Sequence, residues 1–97
     1  MKQPLFTLGK ILSTGGALEL LERFNINLHD LVQRHVSGDF GDLCDEDKQL
    51  NRQAIEDGSR ILSSYSVSDS DKVWLITEAK NSEGIRVATT ALKPSEY

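Results

Sequence analysis

Residues 60–79, RILSSYSVSDSDKVWLITEA, decide the fold. Ile61, Tyr65 and Val67 are separated by even numbers in the first half. In the second half Val73, Leu75 and Thr77 share one parity, and Trp74 with Ile76 share the other. Successive strand side chains point to opposite faces, so each half reads as a β-strand, and the Ser-Asp-Ser-Asp link between them reads as a hairpin turn. A second turn signal, NSEG at 81–84, precedes IRVATTAL at 85–92, a third strand that ends before Pro94. The carboxyl-terminal part of the chain therefore predicts a three-stranded antiparallel meander.

Upstream the period changes. LFTLGKILS, residues 5–13, is β-compatible and runs into Thr14-Gly15-Gly16, which reads as a turn. Ala17, Leu18, Leu20, Leu21 and Phe24 then fit a two-turn helix ending at Asn25. Asn27 is a suitable N-cap for a second helix whose Leu28, Leu31, Val32, His35 and Val36 share one face, with Gly38 placed for a left-handed stop. A third helix is predicted over about residues 45–57, with Asp45, Glu46 and Asp47 in its first turn and Gly58 as its stop. The expected fold is α+β, a single domain over 1–97: an N-terminal strand, two to three short helices and the meander, forming one small sheet with the helices packed on one face.

Composition narrows the function. A chain of 97 residues has room for one core, which excludes a multi-domain enzyme. Lys and Arg number 11 against 15 Asp and Glu, a net charge of −4 without a basic stripe, so neither nucleic acid nor an anionic membrane is an expected partner. Cys44 is the only cysteine. That leaves no disulfide or thiolate cluster and suits a reducing cytoplasm. MKQPLFTLGKIL lacks the apolar run of a signal peptide, and no stretch approaches the ~18 apolar residues of a membrane span.

The most chemically suggestive stretch is RHVSGDFGDLCDEDK, residues 34–48, with five acids between Asp39 and Asp47. A calcium loop needs oxygens at positions 3 and 5 and a Glu at 12; counting from Asp39 these fall on Gly41, Leu43 and Leu50, and from Asp42 positions 3 and 12 are Cys44 and Gln53. Asp39, Asp42 and Asp45 could form a looser magnesium or acid–base site with His35 nearby. A structural corner accounts for more of the residues: glycines for unusual backbone angles, Asp39 and Asp42 for turn amides, and acids 45–47 for the positive end of the third helix. His35 lies on the apolar helix face, His29 on another, and with Cys44 they match no triad or metal spacing. No cofactor is expected. Trp74 and Ile76, or Val73 and Leu75, must point away from the helices, and that apolar face calls for cover by a partner, with Arg86 as an edge charge beside it.

HVSGDFGDLCDEDKQLN, GSRILSSY, VWLITEA, ATTAL and LKPSEY together resemble a family of short bacterial proteins labelled plasmid-related, found on plasmids, integrative elements and integron gene cassettes. The resemblance spans about Gly9 to Tyr97, departing at Phe40, where Trp is frequent in the family, and in the longer turn within AKNSEGIRVATT. It implies a mobile-element origin and no particular activity. A methyltransferase label carried by some members does not transfer, because the chain has no strand, glycine-rich turn and helix to hold a cofactor. The expectation is a cytoplasmic mobile-element protein that works by protein–protein interaction or self-assembly as a homo-oligomer, with Trp74, Ile76 and Arg86 on the contact surface. The alternatives are a small metal-dependent or acid–base enzyme using Asp39, Asp42 and Asp45, or an acidic inhibitor of a host nucleic-acid enzyme.

Overall fold

In the computed structural model of the chain, which describes residues 4–97, the stretch from 60 to 79 forms the hairpin that its alternation predicts. The strands are β1 (Lys10–Ser13), β2 (Ile61–Ser66), β3 (Lys72–Thr77) and β4 (Ala88–Leu92); the helices are α1 (Gly15–Arg23), α2 (Leu28–Val36) and α3 (Asp45–Asp57), and a short 3-10 turn covers Pro94–Glu96. The α+β class stands. β2, β3 and β4 pair antiparallel in chain order, as expected, but the sheet is more than a meander: β1 joins it parallel to β4, which makes it four-stranded and mixed in the order β1-β4-β3-β2. Parallel neighbours need a long crossover rather than a hairpin, and here the helices and the β2–β3 hairpin supply it. Alternation reveals a strand's faces but not its neighbour or direction.

Two local differences also have clear causes. Thr14-Gly15-Gly16 starts α1 instead of turning, because extended Thr14 (φ −70°, ψ 155°) accepts the Ala17 N–H on Oγ1 at 3.1 Å, a side-chain N-cap. β1 is shorter than residues 5–13 because Gly9 takes φ +65° and turns the backbone out of the sheet. Residues 5–8 instead run along the margin of the core, with Phe6 and Leu8 packed against it and the Leu5 N–H donating to the Val36 carbonyl at 2.8 Å. The second and third helices keep their predicted ends: Asn27 Oδ1 accepts the His29 N–H at 2.9 Å, and Gly38 and Gly58 stand at φ +95° and +87°.

The helices pack on one face of the sheet. Ala17, Leu20 and Leu21 of α1 and Leu31 and Val32 of α2 close over Tyr65, Val73, Leu75 and Ala91. A second cluster joins Phe40, Ala54 and Ile61, with Phe6, Leu43 and Ile55 against it. Both clusters use the inner parity of the strands, the one shared by Ile61, Tyr65, Val73 and Leu75.

The β2 edge is closed by side chain and loop. Asn51 of α3 donates from Nδ2 to the Leu62 carbonyl at 2.6 Å and accepts the Leu62 N–H on Oδ1 at 3.1 Å, so one amide imitates a neighbouring strand. Two residues on, the Ser64 N–H donates to the Phe40 carbonyl at 3.1 Å and its carbonyl accepts the Asp42 N–H at 2.7 Å. This bridge presses Gly41, at φ +75°, against the Ser64 carbonyl, where a β-carbon would collide with backbone. Gly84 shares the left-handed geometry, at φ +77°, but faces open space. Gly84→Ala should therefore cost about 1–2 kcal/mol, the left-handed penalty alone, and Gly41→Ala distinctly more. Urea denaturation of the two variants measures the difference; equal costs would mean that the corner can leave β2 without loss.

Candidate functional site

The inner faces of β2, β3 and β4 carry hydroxyls where apolar residues would be expected. Ser63 shares the parity of Ile61 and Tyr65, Thr77 that of Val73 and Leu75, and Thr89 that of Ala91. All three are buried, and His35 of α2 enters among them with no exposed surface. Its Nδ1 lies 2.5 Å from Ser63 Oγ and its Nε2 2.8 Å from Thr77 Oγ1; Thr77 Oγ1 lies 2.7 Å from Thr89 Oγ1, which donates to the Leu8 carbonyl at 2.8 Å.

The last bond orients the whole chain. A carbonyl can only accept, so the Thr89 hydroxyl spends its proton on Leu8 and must accept from Thr77. Thr77 in turn accepts from His35 Nε2–H, leaving Nδ1 to accept from Ser63. The chain of bonds puts a proton on Nε2, and burial keeps the ring neutral at pH 7, which makes Nδ1 the acceptor. A serine beside the unprotonated nitrogen of a histidine is the pairing a nucleophilic hydrolase uses, but here no substrate could reach it. Phe6 stands edge-on to the imidazole at 5.1 Å and Phe40 at 6.4 Å, sealing the ring inside the core. Burial lowers the His35 pKa to about 4.

Arg86, expected as an exposed edge charge, is 2% exposed, which corrects its place on the contact surface. Its Nη1 donates to the carbonyls of Ser59 at 2.7 Å and Glu78 at 3.0 Å, and its Nη2 to Ala54 at 3.0 Å. The Ala54 carbonyl also accepts the Gly58 N–H at 2.8 Å, and the guanidinium adds a positive charge at the negative pole of the helix. Phe6 lies over it with its ring centroid 5.9 Å away.

The acidic corner is engaged in structure. Arg34 forks onto Asp39 through Nε to Oδ2 at 2.7 Å and Nη2 to Oδ1 at 3.3 Å, and the Gly41 N–H donates to Asp39 Oδ1 at 3.2 Å. The Asp39 carbonyl accepts the Tyr65 hydroxyl at 2.6 Å, and the Arg34 guanidinium lies 4.6 Å from the centre of the Tyr65 ring. Burial pushes the Tyr65 pKa up to about 12. Asp42 accepts from the Ser66 hydroxyl. Asp45 begins α3 on its exposed side, behind Cys44 at the N-cap. Among the described residues no three or more His, Cys, Asp or Glu side chains gather where they could hold a metal ion.

Opposite the helices, the sheet presents an apolar row that crosses all four strands in register: Leu12 beside Thr90, Thr90 beside Ile76, Ile76 beside Leu62. Leu62 continues it into a groove of about 240 Å³ against α3, where Leu43, Leu50 and Arg60 form the walls. Trp74 and Ile76, the expected contact residues, are half-buried on this face. Trp74 is shielded on one side by the edge of the Tyr97 ring at 5.7 Å, and Arg60 in turn stacks on Tyr97 at 5.3 Å. Leu12 at 48% and Leu50 at 61% are exposed. Leu12 and Leu62 were not expected in this row, although Leu62 has the parity opposite to Ile61 and so could have been assigned to the outer face.

Acidification should test the sealed histidine. An unfolded histidine titrates near 6.5 and His35 near 4, so between those values the unfolded state binds the extra proton. Stability is then full above about pH 6.5 and falls by about 3 kcal/mol as pH drops towards 4. Asp57, held down by Ser59, and Glu96, held down by the Lys93 N–H and Thr14, sit below the usual carboxylate range and lose their contribution at lower pH. Urea denaturation at pH 7.5 and 4.5 should show the loss. It should largely vanish in His35→Gln, whose amide can accept from Ser63 and donate to Thr77; an unchanged loss would place the titration elsewhere.

No protein-family model, curated protein or solved structure matches the chain.

Proposed function

We propose that this chain acts by association, assembling with a second copy through its sheet, rather than by turning over a substrate. The observation that supports the reading is the in-register row Leu12–Thr90–Ile76–Leu62, an apolar surface running across the sheet on the side away from the helices. Leaving such side chains in water forfeits about 1.5–3 kcal/mol for each large one that a contact could bury. A two-fold contact recovers that energy for whichever part of the row meets its counterpart on the second copy. The setting we propose, the cytoplasm of a bacterium carrying a mobile element, follows from the family resemblance. Among the described residues no helix is long and apolar enough to cross a membrane.

Two of the three carboxylates of the alternative enzyme reading, Asp39 and Asp42, have local partners, and Asp45 stands exposed at the start of α3. Asp39 is forked by Arg34 and Asp42 is bound by Ser66, while the sealed His35 has no route to a substrate. Catalysis needs titratable groups converging on a reachable cavity. The groove beside α3 sets Asp47, Asp57 and Arg60 beside Leu43, Leu50 and Leu62, and Asp57 already accepts the Ser59 N–H at 2.8 Å.

Sedimentation velocity at micromolar protein should report a mass at least twice the 10.8 kDa of the chain. A monomer over the whole accessible concentration range would remove the proposal.

A further inference from the structure

The two edges of the sheet are unequal. On β2 the outward groups of Leu62 and Ser64 are occupied by Asn51 and by Phe40 and Asp42. On β1 the register sends the backbone of Lys10, Leu12 and Thr14 towards β4, Lys10 N–H to the Val87 carbonyl at 3.0 Å and Thr14 N–H to the Ala91 carbonyl at 2.9 Å. In a parallel ladder the alternate residues then turn their N–H and C=O away, so Ile11 and Ser13 point out of the sheet. Among the described residues nothing bonds those four groups. Ile11 is 44% exposed on one face of this edge and Leu12 is 48% exposed on the other.

We infer that β1 pairs antiparallel with β1 of a second copy, joining the two sheets into one eight-stranded sheet. The inference rests on the self-association reading and names its contact. A second copy is the occupant because one edge is closed: head-to-tail addition would need β2 open, so sheet extension is confined to the two-fold pairing of like edges. The register also follows. Antiparallel strands bond through residues whose backbones face each other, which allows Ile11 opposite Ile11 or Ile11 opposite Ser13, since Ser13 opposite Ser13 would bring Ile11 against Gly15 in α1. The first would set Ser13 against Gly9, whose φ of +65° is not extended. The second uses each open N–H and C=O once, giving four main-chain hydrogen bonds, and sets Leu12 directly across the two-fold axis from Leu12 in a close, non-hydrogen-bonded pair. Lys10 then faces Thr14, so no like charges meet. The apolar rows of the two outer faces join end to end through the leucine pair.

Sedimentation of the full chain and its variants tests the pairing. Ile11→Pro removes one outward N–H and none of the bonds to β4, and Leu12→Lys opposes two cations across the axis. Both should retain the wild-type circular dichroism and sediment at half the wild-type mass, whereas Ile76→Lys, in the middle of the outer face, should remain a dimer. In a Cys44→Ser background, Leu12→Cys should oxidise to a covalent dimer, since a non-hydrogen-bonded pair lies within disulfide reach, and Lys10→Cys should not. A wild-type dimer that Ile76→Lys dissolves and Leu12→Lys leaves intact would overturn the edge pairing while preserving self-association through the outer face. A monomeric wild type would remove both.

Discussion

The hydroxyl of Thr89 bonds to the carbonyl of Leu8 at 2.8 Å, and the order of the interior follows from that bond. It gives direction to a line of protons running through Thr77 and His35 to Ser63, and so joins the segment before β1, strands β2, β3 and β4, and helix α2. A hydroxyl buried without a partner costs about 1–3 kcal/mol, so each member of the line depends on the next. The reward is uniqueness. Apolar side chains in these positions could slide past one another, whereas donors and acceptors in series accept one arrangement.

Arg86 does for α3 what that line does for α2. The amphipathic pattern of α3 is weak, with Asn51 and Ala54 its buried residues, so apolar contact gives it little hold on the sheet. Polar anchors compensate at two points: Asn51 on the backbone of β2, and Arg86 reaching from the loop before β4 to the carbonyls at the end of the helix. Phe6 lies against both His35 and Arg86, so the segment before β1 links the two buried polar systems.

Closing β2 so thoroughly makes the bareness of β1 informative. An edge strand with open backbone groups invites pairing, and short length, charge or a covering loop usually discourages it. β2 has the loop and the amide. β1 has its brevity and Lys10, with isoleucine and leucine exposed beside them. The acidic corner, which invites a metal-site reading, belongs to the closed edge: Gly41 allows the chain to approach β2, and Asp39 and Asp42 hold the approach in place.

Periodicity and caps in the sequence determined most of the local structure. The parity of residues 61–77, the Asn27 cap and the Gly38 and Gly58 stops depend on neighbours a few positions away, and they place β2, β3, α2 and α3. The inner face of the sheet was legible for the same reason. The parallel pairing of β1 with β4 was not, since alternation records which way a side chain points and carries nothing about the neighbouring strand. Thr14 could serve equally as turn residue or cap until Ala17 was placed over it. Arg86 follows a polar turn and looks exposed; only three carbonyls brought together from residues 54, 59 and 78 make its burial favourable. His35 was readable as a residue of an apolar helix face, but its partners lie 28 and 42 positions away along the chain. Local sequence decides what a segment can become, and long-range satisfaction of buried polar groups is decided only where tertiary structure brings donors and acceptors together.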